Sequence, residues 1–199
     1  MRRRYLAVLL LPVTLTGCGY NTIQSLDEQA AQSQHQIEVQ LQRRSDLIPN
    51  LVETVKGYAK HEEAVFIEVA QARSGLNSAI QTHDPARMAT ANDQLTTVMS
   101  RFALTVEAYP QLKADQSFLR LQDELTGTEN RIAVSRTDYN QSVQQYNTYI
   151  RRFPALVTAK VIGSRARTYF EVTNAAAKEA PKVDFGTGGA AGASEAKKP

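Results

Sequence analysis

The chain has 199 residues, a length that suits one domain with short appendages. It carries 23 Lys and Arg against 20 Asp and Glu, and three of the basic residues are Arg2, Arg3 and Arg4. Without these three the chain is formally neutral, which removes the main support for a nucleic-acid-binding protein. The single cysteine excludes an intramolecular disulfide.

Residues 1–17 have the pattern of a secretory signal: a basic start, an apolar run and a small residue before Cys18. The run is shorter than the roughly 20 residues that span a bilayer. The segment Leu15-Thr16-Gly17-Cys18 resembles the lipobox of bacterial lipoproteins, which implies that Cys18 becomes the lipidated first residue of the mature chain. The alternative is a stray cysteine in an uncleaved anchor. Since each buried lipid methylene contributes about 0.8 kcal/mol, two or more acyl chains give a stable membrane anchor.

The first helix is predicted to begin at Ser25, because Ser25 and Glu28 have the spacing of a capping box. Residues 18–24 then form a short lipidated linker. From Ile37 onward, seam positions recur in alternating steps of four and three, the spacing of a coiled coil. They are Ile37, Leu41, Arg44, Ile48, Leu51, Val55, Tyr58, Glu62, Val65, Val69, Ala72 and Leu76.

Pro49 lies inside this seam, where its ring removes one backbone donor and disfavours helix at Ile48. The seam nevertheless continues past Pro49 without a change of phase. The sequence therefore favours one long helix, residues 25–80 with a kink near Pro49, rather than two helices joined by a tight turn.

The second helix is predicted to begin after Asp84, with Asp84 as its N-cap and Pro85 at the first helical position. Its apolar positions run from Met88 to Tyr109, and Pro110 ends it. The third helix follows Asp115 as N-cap.

The apolar positions of this third helix run from Phe118 to Phe153, and Pro154 ends it. A short fourth helix is predicted from Ala155 to Ile162, stopped by Gly163. The sequence contains no stretch of alternating apolar and polar residues long enough to indicate a β-strand. The predicted fold class is therefore all-α, an antiparallel bundle of three long helices and a short fourth over residues 25–172.

Residues 173–199 are rich in Ala, Gly and Lys and are predicted to form a disordered tail. Val183 and Phe185 are apolar exceptions within it. They are candidates for a docking peptide, and the alternative is a pair of apolar residues without a binding role.

The sequence predicts no catalytic residues, no metal site and no cofactor other than a covalent lipid on Cys18. His61 and Glu62 begin a His-Glu-x-x-His pattern, but Val65 stands where the second histidine of a zinc helix is required. The alternative hypothesis is a cryptic enzyme or metal-dependent protein centred on His61 and Glu62.

Polar residues on or beside the apolar seams form a candidate network or recognition surface. Arg44 occupies a seam position, and an unpaired buried charge is costly, so Glu129 of the third helix is its predicted partner. Such a network either fixes the register of the helices or recognises a partner protein. The candidates are Arg43, Arg44, Asn50, Glu129, Arg136, Asn140 and Asn147.

The block RRSDLIPNLVETVKGYAKHE, residues 43–62, resembles the signature of the LemA family. Further landmarks follow in the right order: YN at 20, TENRIA at 128, YN at 139 and again at 146, FP at 153 and YFE at 169, and PKVDF at 181 resembles tails seen in the family. The resemblance implies a membrane-anchored α-helical bundle without recognised catalytic residues. The chain departs from the family in two places. A lipoprotein signal stands where many members have an uncleaved transmembrane helix, and Gln34 stands where the family often has Trp.

The predicted function is that of a non-enzymatic envelope lipoprotein, a helical adaptor that holds an unidentified envelope protein near the membrane. No nucleic-acid partner is expected. Gly19, rather than Asp, follows the lipidated cysteine, which resembles lipoproteins exported to the outer membrane. The predicted location is therefore the outer membrane, facing the periplasm.

Overall fold

The structure is a computed structural model that describes the backbone of residues 2–171 and the side chains of residues 19–171. Within these residues the secondary structure is helical and contains no strand, which confirms the all-α prediction. Six helices follow one another: α1 Arg2–Lys56, α2 Glu63–Gln81, α3 Pro85–Glu107, α4 Pro110–Lys113, α5 Gln116–Tyr149 and α6 Ala155–Ile162. The predicted tail, with Val183 and Phe185, lies outside the described residues.

The predicted single helix over residues 25–80 is wrong, because the chain leaves the helix after Lys56 and enters α2 at Glu63. Gly57, which favours helix less than alanine by about 1 kcal/mol, follows the last helical residue. Within the turn, Ala59 is fully buried and the Tyr58 hydroxyl donates to Asp115 over 3.0 Å. Tyr58, predicted from the sequence to be a buried seam position, lies in this turn and is 41% exposed.

The predicted helix start at Ser25 is also wrong, because Ser25 lies in the interior of α1. Residues 18–24, assigned to a linker from the sequence, are helical. Ile23 is only 1% exposed and packs with Tyr146, Ile150 and Ala159 at the far end of α5 and on α6. Tertiary packing of an apolar face supplies most of the stability of a helix. The contacts of Ile23 therefore stabilise helix on the N-terminal side of Ser25.

Helices α2 and α5 run antiparallel to α1. Along α5, Glu124 contacts Arg43 at 2.6 Å, and Ser142, further along, contacts Ser33, which is earlier in α1, at 3.1 Å. On α2, Asn77 accepts a hydrogen bond from Ser45. His83, just after the end of α2, contacts Glu38, which is earlier in α1, at 3.0 Å. Helices α1, α2, α3 and α5 share one apolar core, which includes Ile37, Leu41, Ile48, Leu51, Val55, Val69, Leu76, Met88, Leu95, Phe102, Val106, Ile132, Tyr139 and Val143.

The helix ends predicted from single residues are confirmed at three places. Asp84 caps α3 by accepting from the amide of Ala86 over 2.9 Å, with Pro85 in the first turn. Asp115 caps α5, and the hydrogen bond from the Phe118 amide is the main cause of a lowered pKa of this carboxyl. Gly163 ends α6 with φ of 74°, a backbone conformation that glycine adopts without steric cost.

The end of α5 differs from the prediction. This helix ends at Tyr149, and Ile150 is the last buried position of its seam. Phe153, predicted as the next seam residue, is 81% exposed. Among the described residues, none of the helices is both long enough and apolar enough to cross a bilayer.

Candidate functional site

Arg44 lies at the centre of a polar cluster that joins three helices. Its guanidinium donates to Asn92 Oδ1 at 2.5 Å and to Thr96 Oγ1 at 3.0 Å, both on α3. It also donates to Glu129 Oε1 on α5 at 2.5 Å, so the salt bridge that the sequence predicts is present. We call Arg44, Asn92, Thr96 and Glu129 the Arg44 cluster.

The two charges of this cluster differ in their exposure to solvent. The side chain of Arg44 is 1% exposed, whereas that of Glu129 is 44% exposed. Burial lowers the pKa of Arg44, and the nearby carboxylates of Glu129 and Asp93 oppose this effect. Within the described residues the Nε of Arg44 has no hydrogen-bond partner. A buried cation that depends on two other helices for its partners restricts how α1 can slide against α3 and α5.

The other predicted polar residues are not part of the Arg44 cluster. Arg43 points to the flank of α1, where it forms a partly exposed salt bridge with Glu124 at 2.6 Å. Asn50 is exposed, and its backbone carbonyl accepts from the hydroxyl of Thr54. Arg136 is half-buried on α5. The structure therefore brings Arg44 and Glu129 together but separates them from Arg43 and Asn50.

Asn140 and Asn147 bind the chain's own segment 164–171, which we call the C-terminal strap. Asn147 accepts from the amide of Arg167 at 2.8 Å and donates to its carbonyl at 2.9 Å. Asn140 makes the same pair of hydrogen bonds with Phe170, at 2.9 and 3.1 Å. The seven-residue spacing places both amides on one face of α5, so each holds one residue of the strap.

Other contacts hold the C-terminal strap against α1 and the core. The Tyr139 hydroxyl donates to the carbonyl of Thr168 at 2.7 Å, and burial raises the pKa of Tyr139 to about 12. Arg167 donates to Asp27 of α1 at 2.7 Å, and this hydrogen bond is the main cause of its raised pKa. The repeated Tyr-Asn pairs were visible in the sequence, but their binding partner in the strap was not predicted.

A groove of about 390 Å³ lies beside the Arg44 cluster. This volume is within the range of ligand-binding clefts. Its apolar lining comes from α1, α3 and α5: Leu51, Met99, Phe102, Ala103, Val106, Phe118, Leu119 and Leu125. Glu107 and Lys113, which form a salt bridge with each other, and Glu129 contribute charged groups to its lining. Because the lining comes from distant parts of the chain, no local pattern in the sequence indicates this groove.

The histidine motif considered from the sequence lies in the turn between α1 and α2. His61 is exposed, and Glu62 accepts from the Tyr109 hydroxyl at 3.2 Å. In the part of the chain that the structure describes, no group of three or more His, Cys, Asp or Glu residues is arranged to bind a metal ion. The side chain of Cys18 lies outside the described side chains.

Comparison with known proteins identifies relatives over most of the chain. Magnetosome protein MamQ 2 of Paramagnetospirillum magneticum is 24% identical over 178 residues, covering 76% of this chain and 64% of that protein. Magnetosome protein MamQ of Magnetospirillum gryphiswaldense is 23% identical with the same coverage. Protein LemA of Metamycoplasma hominis is 24% identical over 118 residues, covering 59% of this chain and 52% of that protein. The chain thus spans less than two thirds of the length of the curated relatives that it matches.

The family comparison agrees with the resemblance noted in the sequence. The LemA family profile matches residues 33–185, which include the Arg44 cluster, the groove and the C-terminal strap. The match extends over most of the chain, and we conclude that the chain belongs to the LemA family.

Proposed function

We propose that this protein is a lipid-anchored, non-enzymatic adaptor of the bacterial cell envelope. In this proposal an antiparallel helical bundle holds a partner-binding groove away from the membrane. One observation carries it: α1 connects the residue next to the proposed lipid site, Gly19, to a residue of the groove, Leu51. At 1.5 Å per helical residue, the two lie roughly 50 Å apart.

The proposed anchor is supported by the lipobox and by the packing that follows it. A Cβ atom added to Gly19 would lie 3.5 Å from the Cα of Ala155, so α1 and α6 are in close contact there. Gly19 is buried, and Ile23, one turn later, is also buried. A lipid on Cys18 would therefore be attached one residue from a packed part of the molecule, which would keep that end of the bundle close to the bilayer.

The groove has the composition expected for binding an amphipathic segment of another protein. Its apolar residues would contact the apolar face of a partner helix. The charged groups of Glu107, Lys113 and Glu129 would contribute to specificity rather than to most of the affinity. The partner in this proposal is an unidentified envelope protein, and Gly19 after the cysteine supports an outer-membrane location facing the periplasm.

The anchor is tested by the Cys18→Ala variant, expressed in a bacterium with a lipoprotein pathway. The expected result is a chain that keeps residues 1–17 and incorporates no labelled palmitate, whereas the unchanged chain is shortened and labelled. Mass spectrometry of the amino-terminal peptide identifies the modification. Normal processing and labelling of the variant would show that the anchor is assigned wrongly.

The groove is tested by photocrosslinking in living cells. A photoreactive amino acid at Leu119, which lines the groove and is 43% exposed, should give a discrete crosslinked product. The matched control is Ile67 on α2, which is 50% exposed and is not among the groove residues. The same products from both positions, or products from Ile67 alone, would contradict a partner in the groove.

The candidate docking residues Val183 and Phe185 provide a second binding site in the same proposal. A chain ending at Ala180 should lose part of the partner set that the full chain crosslinks, while products from Leu119 remain. Identical partner sets would remove the tail from the proposal.

A further inference from the structure

Helix α6 has one buried face and one exposed apolar face. Its buried residues, Ala155, Thr158 and Ala159, lie toward α1 and the end of α5. On the exposed side, Val157 is 46% exposed and Val161, one turn later, is 79% exposed. Ile162 is 37% exposed, and Phe153, in the turn before α6, is 81% exposed. Ile162 is four residues after the buried Thr158, so it lies toward the buried side of α6. We call Phe153, Val157 and Val161 the α6 face.

The charged residues of the chain segment that contains the α6 face are all basic. Residues 150–170 contain five basic residues and no acidic residue. Arg167 is paired with Asp27. Arg151, Arg152, Lys160 and Arg165 are exposed, and none of these four forms an ion pair with a described residue.

Other large exposed hydrophobic residues are more dispersed. Leu104 on α3 is 72% exposed and Val134 on α5 is 62% exposed. Glu107 lies one turn beyond Leu104, so that surface includes a negative charge. Single exposed apolar residues are common on soluble proteins, whereas a cluster of them marks an interaction surface. The α6 face is distinguished by its density of apolar side chains and by the absence of acidic neighbours in its segment.

An anionic bilayer matches both properties of this surface. Apolar side chains enter the boundary between head groups and acyl chains, and Lys and Arg beside them are attracted to anionic lipids. The position of α6 agrees, because a Cβ atom added to Gly19 would lie 3.5 Å from Ala155 and 3.7 Å from Thr158, so α6 packs close to the residue that follows Cys18. This orientation rests on the proposed function, in which Cys18 carries the lipid.

We propose that the α6 face is a second membrane contact, inserted beside the lipid anchor into the interface of an anionic phospholipid bilayer. The lipid holds the chain at the membrane, and the α6 face sets the angle of the helices to it. Two contacts fix this angle better than a single flexible attachment point, and the groove is then held at a defined height above the bilayer.

Tryptophan fluorescence tests this proposal, because the chain contains no Trp and a single introduced Trp reports on one position. The full-length protein, processed in cells, is reconstituted into vesicles of phosphatidylcholine with or without phosphatidylglycerol. Val161→Trp is the probe and Leu104→Trp is the matched control, since both positions are strongly exposed. We expect the emission of Val161→Trp to shift to the blue and to be quenched by brominated lipids, more strongly when phosphatidylglycerol is present. The emission of Leu104→Trp should stay unquenched.

The charge contribution is tested in the Val161→Trp protein by adding Arg152→Glu and Lys160→Glu. Both positions are exposed, so the fold should be retained, and circular dichroism checks this. We expect the effect of phosphatidylglycerol on quenching to disappear. Quenching of Val161→Trp equal to that of Leu104→Trp would overturn the proposal. A blue shift that increases with the amount of protein per vesicle, without quenching by brominated lipids, would indicate that the α6 face contacts a second copy of the chain. This result would also overturn the proposal.

Mass spectrometry of the same samples separates this proposal from the proposed function. An unmodified Cys18 would contradict the lipid anchor alone. Quenching of Val161→Trp in such a sample would still support the α6 face as a membrane contact.

Discussion

The Nε of Arg73 donates a 2.8 Å hydrogen bond to the backbone carbonyl of Ser45, four residues before Pro49. In an uninterrupted helix this carbonyl would accept from the amide of residue 49, but proline has no amide hydrogen. The hydroxyl of Ser45 also donates to Asn77 Oδ1, at 2.6 Å. Side chains of α2 therefore provide hydrogen bonds at the turn of α1 where Pro49 removes one backbone hydrogen bond. The helix is continuous through this turn and ends at Lys56.

This relationship predicts that Arg73 and Pro49 are coupled in stability. Arg73→Met should lower the free energy of unfolding by about 1–3 kcal/mol, because it leaves the Ser45 carbonyl without its donor. In a Pro49→Ala background the same substitution should cost less, because residue 49 regains its amide donor. Urea denaturation of the four proteins gives the coupling energy. An equal cost in both backgrounds would contradict the role assigned to Arg73.

The Arg44 cluster predicts that loss of the Glu129 charge destabilises the protein more than loss of the charge in an exposed salt bridge. Glu129→Gln should destabilise the protein by about 1–2 kcal/mol, since the buried guanidinium loses its charged partner while Glu129 itself is partly exposed. In an Arg44→Met background, Glu129→Gln should have almost no effect. Glu124→Gln, at the exposed salt bridge with Arg43, is the control and should change stability by less than about 0.5 kcal/mol. Thermal or urea denaturation measures all three, and a larger effect at Glu124 would refute this account.

The asparagine contacts predict a local change in the C-terminal strap. Asn147→Ala removes two hydrogen bonds to Arg167, so the Arg167 amide should exchange its hydrogen faster with solvent. The Phe170 amide, held by Asn140, should be affected less. Hydrogen exchange followed by NMR or mass spectrometry resolves the two sites, and Asn130→Ala, at an exposed position of α5, is the control. Unchanged exchange at Arg167 would mean that Asn147 does not hold the strap.

Tyr139 predicts a loss of stability at alkaline pH. Burial raises its pKa from 10.0 to about 12 in the folded protein. A raised folded-state pKa contributes stability that is complete below the unfolded value and is lost as the pH rises through the folded value. The free energy of unfolding should therefore fall between about pH 10 and 12, and should fall less in Tyr139→Phe. Parallel pH profiles of the two proteins would show that the Tyr139 hydroxyl is not responsible.

The metal-dependent alternative predicts a different result from the adaptor proposal. We expect the purified protein to contain no stoichiometric zinc, and His61→Ala to leave its metal content unchanged. Elemental analysis by mass spectrometry measures both proteins. Stoichiometric zinc that is lost in His61→Ala would instead support a metal site at His61 and Glu62.

Local sequence signals predicted the class of the fold and several helix ends. The apolar spacing indicated helices, and Asp84, Asp115 and Gly163 marked ends that the structure contains. These features could be read from the sequence because a cap or an amphipathic face depends mainly on residues within a few positions of it. The Arg44–Glu129 pair followed from a similar argument, since a charge at an apolar position requires a partner.

The remaining features depended on contacts between residues far apart in the chain. The apolar periodicity continues past Gly57, so it does not indicate the end of α1 at Lys56, which also depends on the packing of α2 against α1. Asn140 and Asn147 could have bonded to many groups, and their choice of the strap requires that residues 164–171 return along α5. The sequence by itself determined the all-α class, the apolar spacing of the helices and the helix ends marked by Asp84, Asp115 and Gly163. The tertiary structure alone decided where α1 ends, that Asn140 and Asn147 hold the strap, and that α6 lies beside Gly19, because these outcomes depend on packing between distant segments.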